Sequence, residues 1–363
     1  KAAFERARDS KTYEAVKRTR GIPGQSYTTE KAYAMTNQME YFAEVSEAYF
    51  GRNDWYPFNY IELKSHDPEA LPILEAAWGG KPLRKHLEVT AVPTALKADP
   101  FYKKFVDAYG LPVLSSEKVS DYALSEAGFL ITEMLVLRPD VLKAMIESGS
   151  QLRIMAHNEY TTDLPGWDHL VPKDYRDARA RGMGGSLRDP LCSCAEENLL
   201  GYPGDPYSDE SIVIHELAHN IHLRGVVRVD PTFDRRLEKT YEAAMKKWLW
   251  AGKYASVNHY EYFAEGVQSW FDNNRPPDHD HNHVDTRVEL IEYDPALAAL
   301  CKEVFGETEL KYTKPTTRLH GHLEGYDPTT APAFKWPERL KKAQAKIRRK
   351  ALERGKKARE KKK

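Results

Sequence analysis

His215-Glu216-Leu217-Ala218-His219 places two imidazoles and a carboxylate within one helical turn. Residues at i and i+4 share a helix face, so both histidines can offer a neutral ring nitrogen to one metal ion. Glu216, beside the first histidine, is then within reach of a water activated by that ion and can act as its base. A catalytic zinc takes three protein side chains and keeps one position open, so a third ligand is needed. Glu261 is the best candidate, in the run Tyr254-Ala-Ser-Val-Asn258-His-Tyr-Glu261-Tyr-Phe-Ala-Glu265. Glu261 and Glu265 share a face, so one can bind the ion while the other accepts a proton from a ligand imidazole. Tyr262, Phe263, Trp270 and Phe271 crowd the same stretch, which points to burial rather than to a solvated acidic stripe.

These groups need a rigid frame. Ser208 reads as an N-cap with Asp209 and Glu210 in the first turn, and Gly225 as the stop. Between them Ile212, Val213, Ile214, Leu217, Ala218, Ile221 and Leu223 make the segment apolar on nearly every side. Such a helix belongs in a core, where two histidines and a glutamate must be liganded or hydrogen-bonded. The glutamate-bearing stretch is expected to be a helix capped by Ser256 and ended before Pro276-Pro277. Upstream, the periodicity predicts strand, helix, helix, strand: a helix from Asp121 to Leu137, another from Pro139 to about Gly149, and a strand over Gln151–His157. From Thr161 to Asp209 the chain is rich in Gly, Pro and charge, including Gly182-Met-Gly184-Gly185, and is expected to be a long substrate-facing loop.

HELAHNIH, followed some forty residues later by Tyr-x-x-x-Asn-x-x-Glu-Tyr-Phe-Ala-Glu, resembles the catalytic domain of anthrax lethal factor-like zinc metallopeptidases, a gluzincin type. The likeness covers roughly residues 120 to 307. It implies an α+β, zincin-like fold with the HExxH helix and a mainly helical C-terminal subdomain. It further implies that His215, His219 and Glu261 hold one Zn2+ ion, that Glu216 is the general base, and that Tyr254 donates to the oxyanion. Glu265 would support a ligand histidine.

The chain also repeats itself. Lys11-Thr-Tyr-Glu-Ala15 recurs as Lys239-Thr-Tyr-Glu-Ala243, and Tyr33-Ala-Met-Thr-Asn37-Gln-Met-Glu40-Tyr-Phe-Ala-Glu44 recurs as residues 254–265. Ile61-Glu-Leu-Lys-Ser-His-Asp67-Pro68 recurs as Val288-Glu-Leu-Ile-Glu-Tyr-Asp294-Pro295. One unit is written twice. The first copy has no paired histidines, so residues 1–82 form a partial repeat, 83–337 the metallopeptidase-like domain, and 338–363 a basic tail. Because the chain opens on Lys1, the missing half is expected in a longer precursor, with a duplication remnant as the alternative; Glu40 could also compete with Glu261 for the ion.

Lys and Arg balance Asp and Glu at 54 each, yet residues 338–363 carry fourteen basic against three acidic side chains, which leaves the body at −11. The tail has few apolar residues beyond Leu340, Ile347 and Leu352, so it is expected to be solvated or folded back on the acidic body, with weak polyanion contact as its functional alternative. Three cysteines make no disulfide framework, and Cys192 and Cys194 stand too close for an unstrained bond with each other. Expected on a loop leading to the zinc helix, one of them could hold the enzyme latent as a thiolate; buried or free thiols are the default, and the sequence assigns Cys301 no role. The block Asp278-His279-Asp280-His281-Asn282-His283 is expected to be a surface loop with at most weak metal affinity. No apolar run approaches the roughly 18 residues of a membrane-spanning helix; the segment near Gly128–Leu137 reads as amphipathic. No signal peptide is visible, and the sequence assigns no compartment. The expected partner is a peptide or protein substrate. Two other classes stay open: a catalytically silent zincin-fold binding protein, and a polyanion-binding protein acting through its tail.

Overall fold

The structure is a computed structural model that describes residues 1–18, 28–49, 53–58, 62–63, 66–78, 87–308 and 310–360, with side chains to residue 350. Helix outweighs strand, 51% to 9%, in an α+β arrangement around a five-stranded sheet. Strands β3 (Thr90–Ala91), β4 (Lys104–Ala108), β5 (Leu111–Ser115), β6 (Gln151–Met155) and β7 (Leu191–Ala195) follow the order of the chain, after a separate hairpin of β1 (Val16–Arg18) and β2 (Thr28–Glu30). β3, β4 and β5 pair antiparallel, whereas β5, β6 and β7 pair parallel. The crossover from β5 to β6 is made by α4 (Asp121–Leu135) and α5 (Pro139–Glu147), the helices that periodicity placed there. α4 is not amphipathic. It is buried on most faces, and even Glu126 is fully buried, satisfied by Arg318 and by His322 at 2.6 Å.

The segment 161–209 holds more order than a loop. It contains the short helix α6 (Lys173–Asp177), the edge strand β7 and helix α7 (Glu196–Leu200). Cys192 and Cys194 therefore sit within β7, in the core rather than on a loop; burial, followed by the charge of Glu216, pushes both thiols well above their usual range. A protonated thiol is a poor metal ligand, so the latency expectation loses its thiolate.

Helix α8 (Ile212–Asn220) carries HELAH and packs between β7 and α10 (His259–Trp270), which follows α9 (Phe233–Lys246). Val213, Ile214, Leu217, Ala218 and Ile221 join Tyr262, Phe263 and Val267 in one core. Each larger apolar side chain buried this way contributes roughly 1.5–3 kcal/mol, which anchors the helix firmly. Both helices start further along the chain than expected. α8 starts after Ser211, where Asn198 Oδ1 accepts the Ile212 N–H at 2.7 Å; α10 starts after Asn258, whose Oδ1 accepts from Tyr260 and Glu261. Gly225 does not end the helix. The chain continues as a π-helical stretch, Ile221–Val226, and a β-carbon on Gly225 would lie 2.6 Å from Val141 of α5, so its smallness serves packing.

The first copy has its own core, in which Tyr13, Tyr41, Val45, Tyr49, Trp55 and Leu74 join α1 (Ala2–Asp9), α2 (Gln38–Tyr49) and α3 (Leu71–Trp78). It shares two bonding patterns with the second copy. Asn37 caps α2 as Asn258 caps α10. Tyr41 donates to Asp67 Oδ2 at 2.6 Å, and Tyr262 donates to Asp294 Oδ2 at 2.6 Å. The helices α11 (Arg287–Tyr293) and α12 (Pro295–Phe305) complete the second copy, and α13 (Glu338–Glu360) ends the described chain.

Candidate metal centre

α8 and α10 bring His215, His219 and Glu261 to one point. His215 Nε2 lies 3.1 Å from Glu261 Oε2, His219 Nε2 lies 3.3 Å from the same oxygen, and the two ring nitrogens are 3.3 Å apart. Ligands held about 2.0–2.1 Å from a tetrahedral zinc are spaced about 3.3–3.4 Å from one another, so the three atoms outline one face of such a site. Glu40 of the first copy joins no potential metal cluster among the described residues.

The lone pairs point the right way. Gln268, a buried residue of α10, donates its amide to Glu210 Oε2 at 2.9 Å, and a carboxylate there can only accept. Its carbonyl oxygen therefore faces His215 Nδ1 at 2.7 Å and accepts that proton, which makes Nε2 the nitrogen turned to the centre, where an ion would displace its proton. Glu265, expected to take this proton, stands back at 3.6 Å from His215 Nδ1. It instead accepts from Asn274 and faces His281 Nε2 at 3.6 Å. His281 was expected on a surface loop and is buried, while its neighbour His279 is exposed. Burial works against charge on His281, but Glu265 and Asp278 prevail and raise its pKa to about 9. Gln268 and His281 are the residues sequence reasoning missed. Gln268 had a signal, since it follows Glu261 at i+7 on the same face; His281 had none beyond a His-rich insertion.

The pocket holds positive charge strongly. Burial opposes an imidazolium at His215, yet the bond to Glu261 and the fields of Glu216 and Glu265 raise its pKa to about 10. Glu261 is driven well below the usual carboxylate range: burial opposes this, and the two histidines overcome it. Glu216 is raised by burial even though both histidines pull it down.

These groups open on a cleft of about 610 Å³ whose wall includes Glu216, His219, Tyr254 and Glu261. Among the described residues, none of positions 1–82 lines it. The strip Gly182-Met183-Gly184-Gly185 forms another wall. A β-carbon at 184 would lie 2.5 Å from His219 Cβ, and one at 182 would lie 2.9 Å from Glu216 Oε1. Only glycine lets this strip approach the centre so closely. Tyr254 is 39% exposed at the cleft, its ring 6.1 Å from that of His215, and burial and the site's carboxylates hold its phenol protonated.

No family model, curated protein or solved structure matches this chain.

Proposed function

We propose that the chain is a zinc-dependent endopeptidase of zincin-like fold, similar to the lethal factor-like metallopeptidases. The observation that carries this is the triangle of His215, His219 and Glu261, whose edges of 3.1 and 3.3 Å suit a zinc ion. Two imidazoles and one carboxylate are also a donor set that zinc takes in hydrolases. When bound, the ion supplies Lewis acidity and brings a water's pKa to about 7.

The chain's own residues supply the rest. Glu216, partly desolvated beside the histidines, takes a proton from the attacking water and returns it to the leaving nitrogen. Tyr254, held protonated, donates its O–H to the carbonyl oxygen as charge gathers there. The substrate would lie along the glycine strip. Met183 exchanges backbone bonds of 3.1 and 2.8 Å with Ser193 of β7. In such a pair the flanking residues turn their N–H and C=O groups the other way, so Gly182 offers its backbone to the cleft. An extended peptide can add there as a further strand, which favours a polypeptide over a small-molecule substrate.

Zinc content by mass spectrometry together with cleavage of an unbiased peptide pool tests this. One equivalent of zinc and cleavage are expected. Glu216→Gln should keep the zinc and lose at least about 10²-fold in turnover, and undiminished turnover would refute the assigned base.

A further inference from the structure

Arg176, Arg179 and Arg188 all line the cleft beside the candidate metal centre. Several arginines elsewhere meet a carboxylate, while Arg153, Arg224 and Arg287 are held by carbonyl oxygens. Arg181 meets Glu197 at 2.5 and 2.9 Å, Arg138 meets Asp140 at 2.8 Å, and Arg236 meets Asp230 and Glu303. Among the described residues, no carboxylate stands within ion-pair distance of the three cleft arginines. Arg176 lies by the ring of Tyr175, and Arg179 donates weakly to the Tyr175 hydroxyl at 3.5 Å, while Asp174 and Asp177 beside Arg176 are engaged by Arg339.

The sum of charge makes this wall unusual. Three arginines face Glu216 and Glu261 as the cleft's acidic lining, and a divalent ion at the centre would offset both carboxylates. The loaded cleft is then at +3, in a body that carries −11. Along the chain Arg176 and Arg179 precede the glycine strip and Arg188 follows it, so the guanidinium groups belong to both flanks of the strip. A guanidinium offers two parallel donors that fit a carboxylate, and an unpaired one in a cleft is prepared for a carboxylate brought by a ligand.

The geometry points to acidic peptides as the substrate class: aspartate or glutamate side chains on either side of the scissile bond are taken by Arg176, Arg179 and Arg188. This rests on the peptidase function proposed above. A rim contact between such charges is worth about a two- to fivefold change in affinity, so the three together give about tenfold or more.

The test uses the full chain with Glu216→Gln, loaded with zinc, and fluorescence anisotropy of two labelled decapeptides. One carries Asp and Glu around its central bond; the other carries Asn and Gln at the same places. The acidic peptide should bind about tenfold more tightly at low salt, and the preference should shrink towards unity near 1 M salt. Triple replacement of the arginines by Gln should abolish the preference, and triple replacement by Lys should retain most of it. All three side chains are exposed, so these variants are expected to unfold at the parent's temperature. Equal binding of the two peptides, or a preference that survives Arg→Gln, overturns the inference. Cleavage of both peptides by the unsubstituted chain, with equal binding, would leave the peptidase function standing and this inference refuted. Acid-selective binding without cleavage of any peptide would do the reverse.

Discussion

At the scale of single residues, the candidate metal centre was legible where residue type and spacing carry chemistry together. Two histidines four apart and an acid on a second helix were enough to place His215, His219 and Glu261 on one point. Gln268 was not, because glutamine is common on helix faces and nothing in its type marks it as a partner of an imidazole. Its role still makes a sharp prediction. Gln268→Ala would leave His215 Nδ1 and Glu210 without their shared partner and free the ring to turn. Zinc affinity should fall by about 10–100-fold in a chelator competition, with the fold intact by circular dichroism. Gly184→Ala acts by another route: its methyl group, 2.5 Å from His219 Cβ, must push that ring or the strip aside. Zinc affinity and turnover should both fall, whereas Gly149→Ala, where nothing lies within 4 Å, should spare both and cost only backbone strain.

At the scale of elements, the sequence announced the helices more surely than their ends. Ser208 and Ser256 were each read as a cap, yet Asn198 and Asn258 do the capping, and the first of these comes from a separate helix. Caps supplied across the fold leave no local trace. The repeat, by contrast, was fully local, and its two copies share caps and tyrosine–aspartate bonds. They differ at one telling position. Glu265 in the second copy faces His281, but its counterpart Glu44 sits buried with Glu47 and Asp54 near it. Burial, then Asp54 and Glu47, raise the Glu44 pKa to about 7. A carboxyl raised on folding favours the folded state below its unfolded value of 4.5 and loses that contribution as pH climbs through about 7. Glu44→Gln should therefore stabilise the N-terminal core by on the order of 1–3 kcal/mol at pH 8 and change little at pH 4. Denaturant midpoints at the two pH values measure this, and a midpoint at pH 8 equal to the parent's would refute it.

At the scale of the whole molecule, composition separated a basic tail from an acidic body, and the start of the tail folds back on that body, one of the two arrangements expected of it. Its few apolar residues carry the contact: Leu340 is fully buried against Tyr160 and Ala178, with Trp336, Ala343 and Ile347 packed around it. Arg339 reinforces the contact, meeting Asp174 at 2.6 Å and Asp177 at 3.2 Å. Both acids belong to α6, the helix that also carries Arg176 and leads to Arg179 at the cleft. The start of α13 is thus a brace behind the arginine wall, which a count of charges could not reveal because the partner lies some 160 residues upstream. Two truncations separate this role from simple polycation behaviour. Removing 351–363 deletes seven basic and two acidic residues but leaves the brace in place, so peptide turnover should stay within about twofold of the full chain. Removing 338–363 also exposes Tyr160 and Ala178 and strips Asp177 of its ion pair with Arg339, so KM should rise several-fold and the melting temperature fall. If the shorter deletion alone reproduced that loss, the tail would act through its charge and the bracing contact would count for little.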